Sequence, residues 1–297
     1  ICMKSAQEKH SGFTLSELLV VVSILAVLMG RLLPAIQKVR DAANRTRTAS
    51  NLRQVGIAVS AFEGVNGTYP AQSAIRQVRA LVPGGFVTRS VPAYWVVQVL
   101  PYLEQDAIAS RYNFDETYNS VVNKDTIALP VPVLLSASSP GGPRFSSTPS
   151  TNFPAAVADF ALPCGVSASL YSNGFVTTPR PANTNGVVTP GNDKFTRVAE
   201  VTDGTSNTIL LIEAAGAPQL WKGGRLDQAD TIPQRGWAET NSFIVRGHEE
   251  DGTTTTGGGP CLINCNNQYA IYSFHPGGAT VMFADGSVKF LRKTASA

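Results

Sequence analysis

The clearest pattern in the chain lies in its first sixty-odd residues. Residues 1–12 are polar and include Lys4, Glu8, Lys9 and His10. From Leu18 to Leu33, 13 of 16 positions are apolar, the exceptions being Ser23, Gly30 and Arg31. Counted from Phe13, the run is 21 residues long. As a helix it measures about 31 Å, the thickness of a bilayer's hydrocarbon core. Past Pro34 the pattern changes. Ile36, Val39, Ala43, Thr46, Leu52, Val55, Val59 and Phe62 recur mostly at steps of three or four, with one gap of six. That is an amphipathic helix with one apolar stripe. Gly64 and Asn66-Gly67 end it. The expectation is one long helix over 13–62, with a membrane or assembly half (13–33) and an amphipathic half (34–62). Pro34 removes a backbone donor and is expected to bend it.

Residues 65–297 read as a globular α+β part. Tyr94–Leu100 is a helical patch, and Pro101 suits the first turn of a second helix running to about Tyr112. Strand candidates are Ala156–Phe160, Thr208–Glu213 and Ser242–Val245. Ala279–Ala284, Asp285-Gly286 and Ser287–Leu291 read as a terminal hairpin with a tight turn. Residues 136–155, 177–194 and 247–260 read as loops.

Composition narrows the class. Hydrophobic residues make up 43% of the 297 and charged residues 15%, with a net charge of +3. Disorder needs low hydrophobicity and high net charge, so a packed core is expected. The charge balance does not suit a nucleic-acid binder, and no nucleic-acid partner is expected.

Three readings of the N-terminus compete. A secretory signal would place small residues after the apolar run, but Arg31-Leu32-Leu33-Pro34 follows instead. A plain anchor does not account for Glu17, because an ionised carboxylate in lipid is costly unless paired. In the third, the chain is cut before the run, which is then kept. Gly12-Phe13-Thr14-Leu15-Ser16-Glu17-Leu18-Leu19-Val20-Val21-Val22 resembles the type IV prepilin processing signal. The resemblance implies a prepilin peptidase that cuts after Gly12, methylation of the new amine on Phe13, and pairing of Glu17 with the amine of a neighbouring subunit. Pro34 falls where that family often kinks. Charge alone argues for the opposite membrane orientation. Lys38, Arg40, Arg45, Arg47 and Arg53 follow the run, whereas the leader carries only Lys4 and Lys9 against Glu8. The motif sets the leader inside, and the basic residues read as a solvated or headgroup-facing side.

A second resemblance covers most of the chain. Leu52-Arg53-Gln54-Val55-Gly56 before Tyr69-Pro70, Leu100-Pro101-Tyr102-Leu103-Glu104-Gln105 and Val201-Thr202-Asp203-Gly204-Thr205-Ser206-Asn207-Thr208-Ile209 carry it. So do Ser273-Phe274-His275-Pro276-Gly277-Gly278 and Phe283-Ala284-Asp285-Gly286-Ser287-Val288, a His-x9-Asp-Gly signature. On these the chain is identified as a member of the DUF1559 family, large pilin-like proteins expanded in planctomycetes. The resemblance implies a pilin-like α+β fold, with a long N-terminal helix on an antiparallel sheet and large loop insertions. That family often carries a Cys-Pro-Ser-Asp-like segment. Here Val133-Leu134-Leu135-Ser136-Ala137-Ser138-Ser139-Pro140 stands in its place without the cysteine.

The candidate chemistry is sparse. A cut after Gly12 removes Cys2 and His10, leaving Cys164, Cys261 and Cys265 with His248 and His275. Cys261 and Cys265 are a possible disulfide if the domain faces an oxidising compartment. Cys164 reads as a buried small hydrophobe. His275, Asp285 and Gly286 read as turn chemistry, with His275 bonded to backbone and Asp285 at the far end of a strand. Asp203 and Asn207 are either calcium ligands or turn caps, and no other metal or cofactor is expected. His248-Glu249-Glu250-Asp251-Gly252 carries the same ambiguity. No nucleophile–base motif is present, so an enzyme is not expected. The leading expectation is a membrane-inserted pilin or pseudopilin subunit of a type IV pilus or type II secretion-like filament, partnered by like subunits and lipid. Its domain would sit in the periplasm of an inner-membrane protein, or on an extracellular surface filament. The alternative is a membrane-tethered solute- or glycan-binding module using Trp95, Trp221 and Trp237 as stacking platforms.

Overall fold

The computed structural model describes residues 15–83, 85–148, 151–181, 184–254 and 258–293. In chain order these form α1 (Leu15–Asn66), β1 (Ser73–Val82), β2 (Gly85–Tyr94), α2 (Trp95–Val99), α3 (Asp106–Ala109), α4 (Lys124–Ile127), β3 (Phe145–Thr148), β4 (Thr151–Ala156), β5 (Phe160–Val166), α5 (Ala168–Ser172), β6 (Ile209–Glu213), β7 (Gln219–Lys222), β8 (Arg225–Thr231), β9 (Ser242–Val245), β10 (Gly278–Phe283) and β11 (Val288–Arg292). The chain divides into two compact units between Ala43 and Asn44.

In the first unit the described residues are helical, and the large apolar side chains from Leu15 to Val39 are all exposed. Pro34 lies inside α1 without ending it.

The second unit is an α+β domain. Its main sheet has the order β11-β10-β6-β5-β9. All neighbours pair antiparallel except β5 and β9, which run parallel. Alternating residues of the central strands point to opposite faces. Leu211 and Met282 join Leu52, Val55, Val59 and Phe62 of α1 in the larger core cluster. Ile212 and Val281 join Phe243, Val245, Ile263 and Ile271 in a second cluster. Each of the four α1 side chains contributes about 1.5–3 kcal/mol on burial. Gly56 permits the close approach, because a Cβ there would overlap the Met282 thioether.

The fold is the expected one, but several boundaries differ. The buried row of α1 is Thr48, Leu52, Val55, Val59 and Phe62, a heptad-like seam. Ile36 and Val39 are 61% and 70% exposed, and Ala43 and Thr46 are exposed as well. The gap of six in the pattern therefore marks where packing begins. Arg45 is not simply solvated. Its guanidinium stacks 3.8 Å over Phe290 and donates to the Pro276 carbonyl. The second helix breaks up into a 3-10 turn over Leu100–Tyr102 followed by α3, because Glu104 between them has a φ of 53°. The supposed loop 136–155 contains the β3–β4 hairpin. The strand candidate Ala156–Phe160 is a bend between β4 and β5, where Asp159 turns inward.

Candidate functional site

Gly12 and Phe13 lie outside the described residues. Glu17 stands in the first turn of α1 and is the only acidic residue between Leu15 and Arg40. Among the described residues, α1 is the one helix long and apolar enough to cross a membrane.

A cluster of polar side chains in the second unit is buried where α1 meets the sheet. Thr48 is fully buried there. Its Oγ1 accepts from the Ala137 N–H at 3.1 Å and lies 3.1 Å from His275 Nε2. Glu213, at the end of β6, is also fully buried. Ser136 Oγ lies 2.5 Å from its Oε1, and the Thr280 N–H donates to its Oε2 at 2.9 Å. His275 Nε2 is 3.7 Å from the same Oε1. Beside it, Asp159 pairs with Arg144 at 2.6 Å and accepts from the Ser136 and Gly216 N–H groups. Burial, followed by the neighbouring Asp159 charge, raises the Glu213 pKa from 4.5 to about 7, against the pull of its hydrogen bonds from Ser136, Thr280 and Ser138. The Ser136–Ser139 segment therefore works as a polar wedge that ties α1 to β5 and β6. Thr48, Ser136, Asp159, Glu213 and His275 are all buried, so the cluster sits within the packed interior.

The two halves of the His-x9-Asp-Gly signature do different work. His275 is buried before β10, where its Nε2 lies 3.1 Å from the Thr48 hydroxyl of α1. Asp285 is exposed after β10, where it accepts from the Ser287 N–H at 2.9 Å. Ser287, through its side chain first and its N–H second, holds that carboxyl below the ordinary carboxylate range. Gly286 follows with a φ of 82°, a conformation that favours glycine.

The remaining candidates sit apart from this cluster. Cys261 and Cys265 are joined by a disulfide with their α-carbons 6.2 Å apart, and Cys164 is free and buried. Asn207 donates its side-chain amide to the Asp203 carbonyl at 3.1 Å, closing the turn on itself. No group of three or more His, Cys, Asp or Glu side chains is placed to hold a metal among the described residues. His248 is buried, and desolvation together with Arg246 lowers its pKa to about 4. Trp95 and Trp237 are fully buried and donate to the Asn241 and Leu129 carbonyls. They are core residues, and the three indoles form no common stacking groove.

Glu213, Asp159, Thr48 and Ser136 were not singled out by sequence. An acid closing the apolar strand Ile209–Glu213 and followed by two alanines was the available signal.

Residues 37–296 match the model of a family described as a protein of unknown function (DUF1559). The chain belongs to the DUF1559 family. Residues 9–30 of this DUF1559 protein separately match the prokaryotic N-terminal methylation motif. With the apolar helix that follows, the motif marks the chain as a type IV pilin- or pseudopilin-like precursor. The motif implies processing by a prepilin peptidase and points to membrane insertion or a surface filament. No curated protein and no solved structure matches this DUF1559 chain.

Proposed function

We propose that the protein is a structural subunit of a pilus-like or type II secretion-like filament, anchored by its N-terminal helix before assembly. The observation that carries this reading is the continuity of the methylation motif at 9–30 with α1, whose large apolar residues from Leu15 to Val39 are all exposed among the described residues. Those side chains need lipid or like helices as their solvent. A cut after Gly12 creates an amine on Phe13, four residues before Glu17. Glu17 then pairs with that amine on a neighbouring subunit and sets the stagger. A wrong stagger strands its charge in apolar surroundings, at roughly 3–5 kcal/mol. The globular domain does its work by packing, not by catalysis. It lies in the periplasm before assembly and on the cell surface afterwards.

Glu17→Ala tests the register role. The variant is expected to be processed and folded normally, and to yield far fewer sedimentable filaments. Wild-type filament yield from Glu17→Ala would refute it.

A further inference from the structure

The β1–β2 ribbon pairs over ten positions, from Ser73 opposite Tyr94 to Val82 opposite Gly85. Period-2 alternation divides its side chains between two faces. One face carries Arg76 and Arg89, which pair with Asp115 and Glu116 of the domain. Those ion pairs turn the other face outward. At its tip Leu81 stands opposite Phe86, 75% and 59% exposed, and the Arg79 guanidinium lies 4.2 Å above the Phe86 ring. Arg79 makes no ion pair with any described carboxylate. An exposed phenylalanine in contact with an arginine joins two residue types enriched at interfaces.

The same domain carries a matching hollow. An open cavity of about 380 Å³ lies at the edge of the second core cluster, floored by Ile212, Val245, Ile263 and Ile271 and walled by Leu262 and Leu291. A dry cavity of about 150 Å³ accommodates a benzene-sized group, so this one has room for a phenyl ring and an isobutyl group together. The only charged residue lining it is Asp203, which is exposed and in no ion pair among the described residues.

We propose that the ribbon tip of one copy enters this cavity on the next, with Phe86 and Leu81 inside and Arg79 against Asp203. A tip-to-tip pairing would oppose two Arg79 charges and is disfavoured. Tip into hollow is a heterologous contact, which extends into an open filament when its rotation does not close a ring. The inference rests on the filament reading above for the reason copies meet, and it names which surfaces touch.

The test uses the full chain expressed with its leader. A photoreactive phenylalanine analogue at position 86 is irradiated in membranes and in sheared filaments, and the adducts are mapped. The expected adducts join position 86 to residues 203–212 or 262–271 of a second copy. Arg79→Glu and Asp203→Arg should each lower the yield by about fivefold, and the double exchange should restore it. Asp203→Asn supplies a milder second variant, with thermal unfolding checking that each folds. Adducts to another tip, to lipid alone or to nothing overturn the contact. Wild-type filaments without the adduct refute the contact and leave the subunit reading standing. The adduct in membranes of cells that make no filaments does the reverse.

Discussion

Replacing Glu213 with Gln should change how the domain's stability depends on pH. In the folded chain the Glu213 carboxyl titrates at about 7, raised chiefly by burial, against an ordinary value of 4.5. Between those values the unfolded chain has released this proton while the folded chain still holds it. The unfolded state then binds fewer protons, so stability falls as pH rises. The contribution is full below pH 4.5 and gone above about 7, and the gap corresponds to about 3 kcal/mol. Gln mimics the neutral acid. Its carbonyl accepts from the Thr280 N–H in place of Oε2, and its amide faces the Ser136 hydroxyl, which can accept. Thermal unfolding of the detergent-solubilised full chain, followed by circular dichroism from pH 4 to 8, measures the difference. Glu213→Gln should match wild type near pH 4 and exceed it by about 3 kcal/mol near pH 8, several degrees in Tm. A difference that stays constant with pH would refute the neutral buried carboxyl and the wedge built around it.

Four further outcomes follow from the same packing. His248, held neutral by burial with a pKa near 4, should make wild type lose stability as pH falls from 6.5 toward 4. His248→Gln should therefore gain relative to wild type over that acid range in the same melts. Gly56→Val should destabilise by about 1–3 kcal/mol through overlap with Met282, and Met282→Ala in the same chain should recover part of that loss. Thr48→Val removes the hydroxyl between His275 and the Ala137 N–H and should cost about 1–3 kcal/mol. A neutral melt would show that the wedge does not hold α1. Alkylating the denatured, unreduced mature chain should add one label, on Cys164, because Cys261 and Cys265 are joined. A second label would place Cys2 still in the chain, and three would mean the bridge is open.

Much of the architecture was legible because it follows from periodicity. The seam Leu52, Val55, Val59 and Phe62 is a run of three- and four-residue steps, and those side chains are the ones that meet the sheet. Ser242–Val245 and the terminal hairpin around Asp285-Gly286 also fall where alternation and turn chemistry put them. The β1–β2 ribbon was illegible because both its faces are largely exposed, so no apolar–polar alternation marks it. The β3–β4 hairpin hid in a Ser-, Thr- and Pro-rich stretch whose composition reads as loop. The buried cluster was missed for a different reason. Thr48, Ser136, Glu213 and His275 lie in four separate segments that come together only in the fold. Sequence exposed His275 through its turn but not its contact with Thr48.

The account depends on the apolar helix outlasting maturation as the bond between subunits. Mass spectrometry of the protein recovered from cells reads this at its first residue. An N-terminus at Phe13 carrying one methyl group is the predicted result. A chain that retains residues 1–12, or one that starts beyond Leu33 with the apolar run removed, would contradict the account.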